Sequence, residues 1–253
     1  MNITYLLGAG ASCQSLPMVK NIPEALEKFA QDFLPLNLNE PNAMSFLDKL
    51  GGLANKFLNK HKNDKGTFEK YHHLLLEFHR DIVWLQSESK NHSSIDTLAK
   101  KLHLQNNKTD LKKLKYILSC FFIYEQTCNF DKRYDSFFAS ILESLSEIPS
   151  NLKILSWNYD SQLEIAFSNF SNTSIEKSRE TLNIFSKGNK IDSSKINLNN
   201  TFNVFKINGT TNIKDKESKY YDLIESYNIN KTKLVSSFLE IYSSSHLFFN
   251  SRT

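Results

Sequence analysis

Two glycines and a serine follow the first apolar segment of the chain, within LLGAGASCQSLP at residues 6–17. Gly8 and Gly10 allow the backbone to turn tightly and to approach a phosphate closely, as in turns that bind dinucleotides, although Cys13 replaces the third glycine of that fingerprint. The alternative is an ordinary strand-to-helix turn in which glycine supplies a positive φ. Ser12 either donates its hydroxyl group to a phosphate or caps the next helix.

Asn158 and Asp160 flank Tyr159 directly after an apolar segment of strand length, residues 152–157. Nothing structural requires an amide and a carboxylate side chain together at the end of an apolar strand, which favours a functional role for this pair. The structural alternative is that Asp160 is the N-cap of a helix over residues 162–167. A third polar turn, Asn208, Gly209 and Thr210, follows a shorter apolar segment at residues 204–207.

Composition limits the class of protein. The 253 residues are 40% hydrophobic, and the formal net charge of +4 is spread along the chain, which argues against direct nucleic-acid binding. Cys13, Cys120 and Cys128 are too few and too far apart for a disulfide framework or a zinc site, so we expect no metal and a reducing cytoplasm. No apolar run approaches the length of a membrane span.

The periodicity of apolar residues predicts an α/β protein. Residues 3–7 predict a buried strand, and further strands are predicted at 152–157 and 204–207. Helices are predicted over residues 23–34, 43–57, 67–86, 111–128, 134–148 and 162–167. We therefore predict a core built from about residues 1–22 and 150–253, a helical insertion over about 23–149, and a surface excursion at 171–200.

The helical insertion contains one further candidate for chemistry. Ser93 and Asp96 have the spacing of a capping box ahead of an apolar helix. The functional interpretation is that Asp96 adds a carboxylate to the site. His72 and His73, on a long helix, are interpreted as helix-surface residues. In an α/β sheet ligands bind outside the carboxyl ends of the strands, where the three polar turns are expected to meet.

Three short segments, taken in order, resemble the motifs of sirtuin-like domains: GAGAS at 8–12, WNYD at 157–160 and KING at 206–209. The chain is similar in style to the bacterial sirtuin-like domains of anti-phage defence systems. The resemblance implies a Rossmann-like parallel sheet that binds NAD, with Asn158 against the nicotinamide ribose and Asp160 near the carboxamide. Further implied contacts to NAD are Gly8, Ala9, Gly10, Ala11, Ser12, Tyr159, Gly209 and Thr210.

The third motif departs from the family, which has a histidine base where this chain has Asn208. Asparagine accepts no proton near neutral pH, so Asn208 retains only the hydrogen-bonding part of that role or the domain binds NAD without cleaving it. The closing strand that is usual in related domains is not found before Thr253, which predicts either a fragment or a shortened sheet.

Three functions stay open from the sequence. The first is an NAD-cleaving, nicotinamide-releasing effector that empties the cellular NAD pool on infection and is switched on by a partner defence protein or by homo-oligomerisation. The second is a non-catalytic module that binds NAD or ADP-ribose. The third is an unrelated helical interaction domain in which the polar turns are coincidental.

Overall fold

The computed structural model describes residues 2–144, 147–186, 201–210 and 231–246. The chain forms two compact units. The sheet unit comprises residues 1–18 and 125–212, and the helical unit comprises residues 19–124 and 213–253. The helix at 132–141 thus belongs to the sheet unit and the helix at 231–246 to the helical unit, whereas the sequence analysis assigns the first to the insertion and the second to the core.

The sheet unit contains a four-stranded, all-parallel sheet in the order β1-β2-β4-β3, which makes the protein mixed α/β. Its strands are β1 (Ile3–Leu7), β2 (Leu152–Ser156), β3 (Ile184–Ser186) and β4 (Asn203–Lys206), and its helices are α7 (Lys132–Ile141), α8 (Gln162–Ser171) and α9 (Ile175–Thr181). Parallel neighbours need long crossover connections, and the helices supply these between β1, β2 and β3.

The core of the sheet unit lies on one face of the sheet. Ile154 and Val204 are fully buried beside each other in the register and belong to one apolar cluster with Phe138 of α7 and Phe167 of α8. Along β2, buried residues alternate with half-buried ones, as the two-residue period of a strand requires.

The prediction that the first strand is buried is wrong. Ile3, Tyr5 and Leu6 are 40%, 42% and 63% exposed. The reason is topological, because β1 lies at one end of the strand order and pairs only with β2. Five apolar residues in sequence do not distinguish an edge strand from a central one.

The helical unit contains α1 (Ile22–Asp32), α2 (Ala43–Phe46), α3 (Leu53–Lys60), α4 (Lys65–Asn91), α5 (Ile95–Leu104) and α10 (Lys231–His246), and most of α6 (Lys108–Cys128). Its core is aromatic and aliphatic, with Leu26, Phe29, Phe33, Leu75, Phe78, Ile82, Phe121 and Phe238 fully buried. No helix among the described residues is long and apolar enough to cross a membrane.

Three of the predicted segments need correction. Residues 43–57 are not one helix. The helical structure is interrupted between α2 and α3, and Gly52, directly before α3, has φ +82°. The helix predicted to end at residue 148 ends at Ile141, ahead of Pro149 and a bridge between Ser144 and Glu147. The predicted surface excursion contains α9 and β3, while its remaining part at 187–200 lies outside the described residues.

One predicted surface histidine is buried. His72 is 7% exposed, and its Nε2 lies 2.6 Å from the carbonyl oxygen of Leu36. His73 is exposed, as predicted. The spacing of apolar residues shows which face of a helix is buried. The buried face of α4 also contains the imidazole ring of His72, which forms a hydrogen bond with the backbone carbonyl of Leu36.

Candidate functional site

The three polar turns lie at one edge of the sheet. In the register, Leu7 pairs with Ser156 and Ser156 pairs with Lys206, so β1, β2 and β4 end side by side. The ladder continues one step further, because the amide of Trp157 donates to the carbonyl of Leu7 and that of Ile207 donates to the carbonyl of Ser156. The sequence prediction that these turns meet at the carboxyl edge is confirmed.

The glycine turn does not need glycine for its backbone conformation. Gly8 has φ −110° and ψ −175°, and the described glycines with a positive φ are Gly52 and Gly209, which leaves out Gly10. The alternative that these glycines supply a positive φ is therefore wrong. A Cβ atom added at Gly8 or Gly10 would meet nothing within 4 Å. What glycine provides here is open space beside the backbone.

Ser12 does not cap the following helix. It lies within the 3-10 turn Ala9–Ser12, and the N-cap of α1 is Asn21. Its hydroxyl oxygen is instead 3.0 Å from the hydroxyl oxygen of Tyr134 and accepts a hydrogen bond of 3.1 Å from Nδ2 of Asn158. Ser12 therefore joins the glycine turn to the turn after β2.

Asn158 and Asp160 are buried, with exposed fractions of 7% and 4%. The turn is held locally, since the amide of Asn158 donates to Oγ of Ser156 and that of Gln162 donates to Oδ1 of Asp160. The N-cap of α8 is Ser161, whose side chain makes no capping hydrogen bond. Asp160 thus binds the first amide of the helix from one position before the cap, which satisfies part of the capping interpretation.

Charged groups surround Asp160. Burial raises the pKa of its carboxyl group, while the positive charge of Lys206 acts in the opposite direction. Nζ of Lys206 donates to the backbone carbonyl of Asp160 at 2.5 Å and to Oε1 of Glu164, and both of these charged side chains are almost fully buried. Lys206 belongs to the KING segment at 206–209, but nothing in its position along the chain indicated this pairing.

Two aromatic residues next to Asn158 in the chain have exposed side chains. Trp157 is 55% exposed and Tyr159 is 38% exposed. Asn208 is also exposed, and its Nδ2 donates to the carbonyl of Trp157 at 3.1 Å. Gly209 has φ +95° and is buried, and Thr210 is half-buried. The sequence prediction placed Trp157 at the end of a strand. A tryptophan directly before a polar turn is the signal that could have identified it as an exposed residue of the site.

A second feature that the sequence analysis missed braces the glycine turn. Nη1 of Arg133 donates to the carbonyl of Gly10 at 2.7 Å, and the guanidinium forms an ion pair with the fully buried Asp131. Asp131 also accepts the amide of Gln14 at 3.0 Å. Burial opposes ionisation of Asp131, but the hydrogen bonds from Arg133 and Gln14 hold its pKa below the usual value.

Asp96 belongs to the helical unit, where it is exposed in the first turn of α5. The N-cap of this helix is Ser94, whose Oγ accepts the amide of Thr97, so the prediction that Ser93 is the cap is wrong by one residue. Within the described parts of the chain, no group of three or more His, Cys, Asp and Glu could hold a metal ion.

Comparison with known proteins found no matching family model, no matching curated protein and no matching solved structure.

Proposed function

We propose that this chain is a sirtuin-like, Rossmann-like NAD-cleaving effector that releases nicotinamide in the cytoplasm during anti-phage defence. The observation that carries the proposal is the hydrogen bond between Asn158 Nδ2 and Ser12 Oγ. It joins the glycine turn to the turn that carries Asn158 and Asp160, an amide and a carboxylate that can stabilise a cationic sugar. Activation by homo-oligomerisation or by a partner defence protein is part of the proposal.

The reaction breaks the bond between C1′ of the ribose and the nicotinamide nitrogen, and the bonding electron pair leaves with nicotinamide. The ribose becomes oxocarbenium-like, and water adds at C1′ and loses a proton. Asn158 and Asp160 stabilise the cationic sugar as fixed dipole and charge. Asp160, ionised above its raised pKa, accepts the proton of the attacking water in place of the absent histidine.

Binding uses the more exposed residues of the same edge. The open space at Gly8 and Gly10 lets the diphosphate approach the backbone between Gly8 and Ser12. The exposed rings of Trp157 and Tyr159 offer faces on which a planar base can stack. Gly209 and Thr210 complete the edge after β4.

A non-catalytic module that binds NAD or ADP-ribose is the second candidate. It is favoured by Asn208, which has no proton-accepting group and whose amide nitrogen is already bound to the carbonyl of Trp157. In that case the network at Asn158 and Asp160 serves recognition of the ribose alone.

Nicotinamide release from NAD by the purified protein tests the first function. Asn158→Ala removes an amide dipole next to the cationic sugar, so we expect release to fall about a hundredfold, with a smaller change in affinity. The assay is run over a wide range of protein concentrations, so that activation by self-association is included. Circular dichroism of the variant controls for folding.

Affinity is measured by fluorescence in a Trp84→Phe background, which leaves Trp157 as the remaining tryptophan. Quenching by NAD together with nicotinamide release supports the effector. Quenching by NAD and ADP-ribose with no release at any protein concentration supports the binding module. A folded Asn158→Ala protein that releases nicotinamide at the parent rate would remove Asn158 from the catalytic site.

A further inference from the structure

Tyr134, Ser12 and Asn158 form a buried hydrogen-bonded chain across three elements. Tyr134 lies in α7, Ser12 follows β1 and Asn158 follows β2. The hydroxyl oxygens of Tyr134 and Ser12 are 3.0 Å apart, and Nδ2 of Asn158 is 3.1 Å from Oγ of Ser12. Their exposed fractions are 5%, 1% and 7%. Burying three polar side chains together costs free energy unless each one is hydrogen-bonded, and here each one is.

The donors and acceptors of this chain can be assigned. The amide nitrogen of Asn158 has only hydrogens to offer, so it donates and Ser12 accepts. Burial, reinforced by the negative charge of Asp160, raises the pKa of Tyr134, so its phenol stays protonated and can donate to Ser12. The hydroxyl oxygen of Ser12 then accepts from both neighbours. The hydrogen of Ser12 is then available to the carboxyl group of Asp160, and this interaction offsets part of the rise in the pKa of Asp160 that burial causes.

The nitrogen and the oxygen of an asparagine amide leave the same planar carbon in different directions. Because Nδ2 of Asn158 donates to Ser12, its oxygen is not the atom that faces Ser12. An amide oxygen carries partial negative charge, whereas a flipped amide would present two N–H groups there. The orientation of the Asn158 amide dipole therefore depends on the hydrogen bond to Ser12, and the orientation of the Ser12 hydroxyl group depends on its hydrogen bond with Tyr134.

We propose that Tyr134 and Ser12 are positioning residues that hold the Asn158 amide with its oxygen presented to a cationic ribose. The catalytic meaning of this orientation rests on the proposed NAD cleavage, but the orientation itself does not. Tyr134 acts here through its hydroxyl group alone. Its ring packs in the core of the sheet unit, which Phe would preserve.

Nuclear magnetic resonance of the side-chain amide tests the orientation without a ligand. The Asn158 NH₂ signals are assigned in the ¹⁵N-labelled full chain by their loss in Asn158→Ala. We expect these hydrogens to exchange slowly in the parent, and to shift and exchange at least about tenfold faster in Ser12→Ala and in Tyr134→Phe, since buried hydrogen-bonded groups exchange only on opening.

Ser15→Ala is the matched control. Ser15 is a second buried serine three residues further along, and its hydroxyl donates to the carbonyl of Asn129 instead. This variant should leave the Asn158 signals and nicotinamide release at the parent values. Unchanged Asn158 signals in folded Ser12→Ala would overturn the proposal, as would equal effects of Ser12→Ala and Ser15→Ala.

The kinetic test separates positioning from binding. In Ser12→Ala and Tyr134→Phe we expect kcat for nicotinamide release to fall about tenfold or more while KM changes little, because a misplaced group costs rate more than affinity. A normal kcat in both variants would overturn the proposal. If the parent releases no nicotinamide but the Asn158 signals respond as expected, the proposed function fails and the positioning of Asn158 by Ser12 stands.

Discussion

Asp160 carries a carboxyl group whose ionisation is opposed by its surroundings. Burial raises its pKa above the ordinary value of 3.8, with Lys206 as the main opposing influence. A carboxyl group with a raised folded-state pKa contributes stability that is fully present below about pH 3.8 and is lost as the pH rises through the folded value. Its ionised form is therefore the less stable one and also the one that the proposed reaction uses.

Asp160→Asn should change the pH dependence of stability in a defined direction. As the pH rises from about 3.8 through the folded pKa, the parent loses stability relative to the variant, since asparagine does not titrate. Urea unfolding at a series of pH values measures this. Lys206 binds the backbone carbonyl of residue 160, so that contact survives the substitution. Nicotinamide release by the parent should rise over the same pH range, and the variant should lack that rise.

Asp131→Asn is the control with the opposite sign. The pKa of Asp131 is lowered, so its contribution is present above the unfolded value and is lost as the pH falls through the folded value. The parent should thus lose stability relative to this variant on acidification. A parallel response of the Asp131 and Asp160 variants to pH would contradict the assignment of Asp160 as a destabilised carboxylate.

The residues of the candidate site divide into those that the sequence could indicate and those that it could not. Ser12, Asn158 and Asp160 stand out because each follows an apolar strand by a few residues. The Tyr134–Ser12 contact joins residues 122 positions apart, and the Lys206–Asp160 contact joins residues 46 positions apart. Such contacts depend on how α7 and β4 pack, which a single sequence does not specify.

At the scale of elements, two glycines at the same sheet edge have different physical reasons to be glycine. Gly10 has an ordinary φ and open space at its Cβ position, whereas Gly209 has φ +95°, where other residues are strained. The fold therefore requires glycine at position 209 but not at position 10. The proposed NAD site supplies a reason for glycine at position 10 that the backbone conformation does not.

Gly10→Leu should leave the melting temperature within about a degree of the parent and should abolish quenching of Trp157 by NAD, because the side chain fills the space that the diphosphate enters. Gly209→Ala should instead destabilise the protein by about 1 kcal/mol or more through backbone strain. Thermal unfolding and fluorescence titration measure the two effects. Parent-like affinity for NAD in Gly10→Leu would remove the glycine turn from the binding site.

Helix and strand positions were predictable where apolar spacing is regular, and less so where the chain changes direction. The 27 residues of α4 follow a sustained helical pattern, and the structure extends the predicted helix at both ends. The break between α2 and α3 was missed because the apolar spacing continues across Gly52. The pair Gly51–Gly52 is a local turn signal that apolar spacing does not register, and α3 begins directly after Gly52, whose φ is positive.

At the scale of the whole molecule, the two units have separate hydrophobic cores. One buried cluster contains Phe29, Phe78 and Phe238 and belongs to the helical unit, and another contains Phe138 and Val204 and belongs to the sheet unit. Residues that pack in different cores can open independently, so a ligand need not protect both units equally. Local exchange is therefore more informative than a single melting temperature.

Hydrogen exchange in the presence and absence of NAD should give a localised response. We expect protection at residues 9–12 and 158–160, because a ligand that binds the native state suppresses the openings that expose these amides. The core of α4 should change little, and ADP-ribose should reproduce the pattern at the glycine turn. Protection spread evenly over both units, or absent from residues 9–12, would contradict binding at the carboxyl edge of the sheet.

The same hydrogen-exchange measurement tests Asp96. A carboxylate that contacts NAD would bring protection to the first turn of α5. Protection limited to the sheet unit would remove Asp96 from the site.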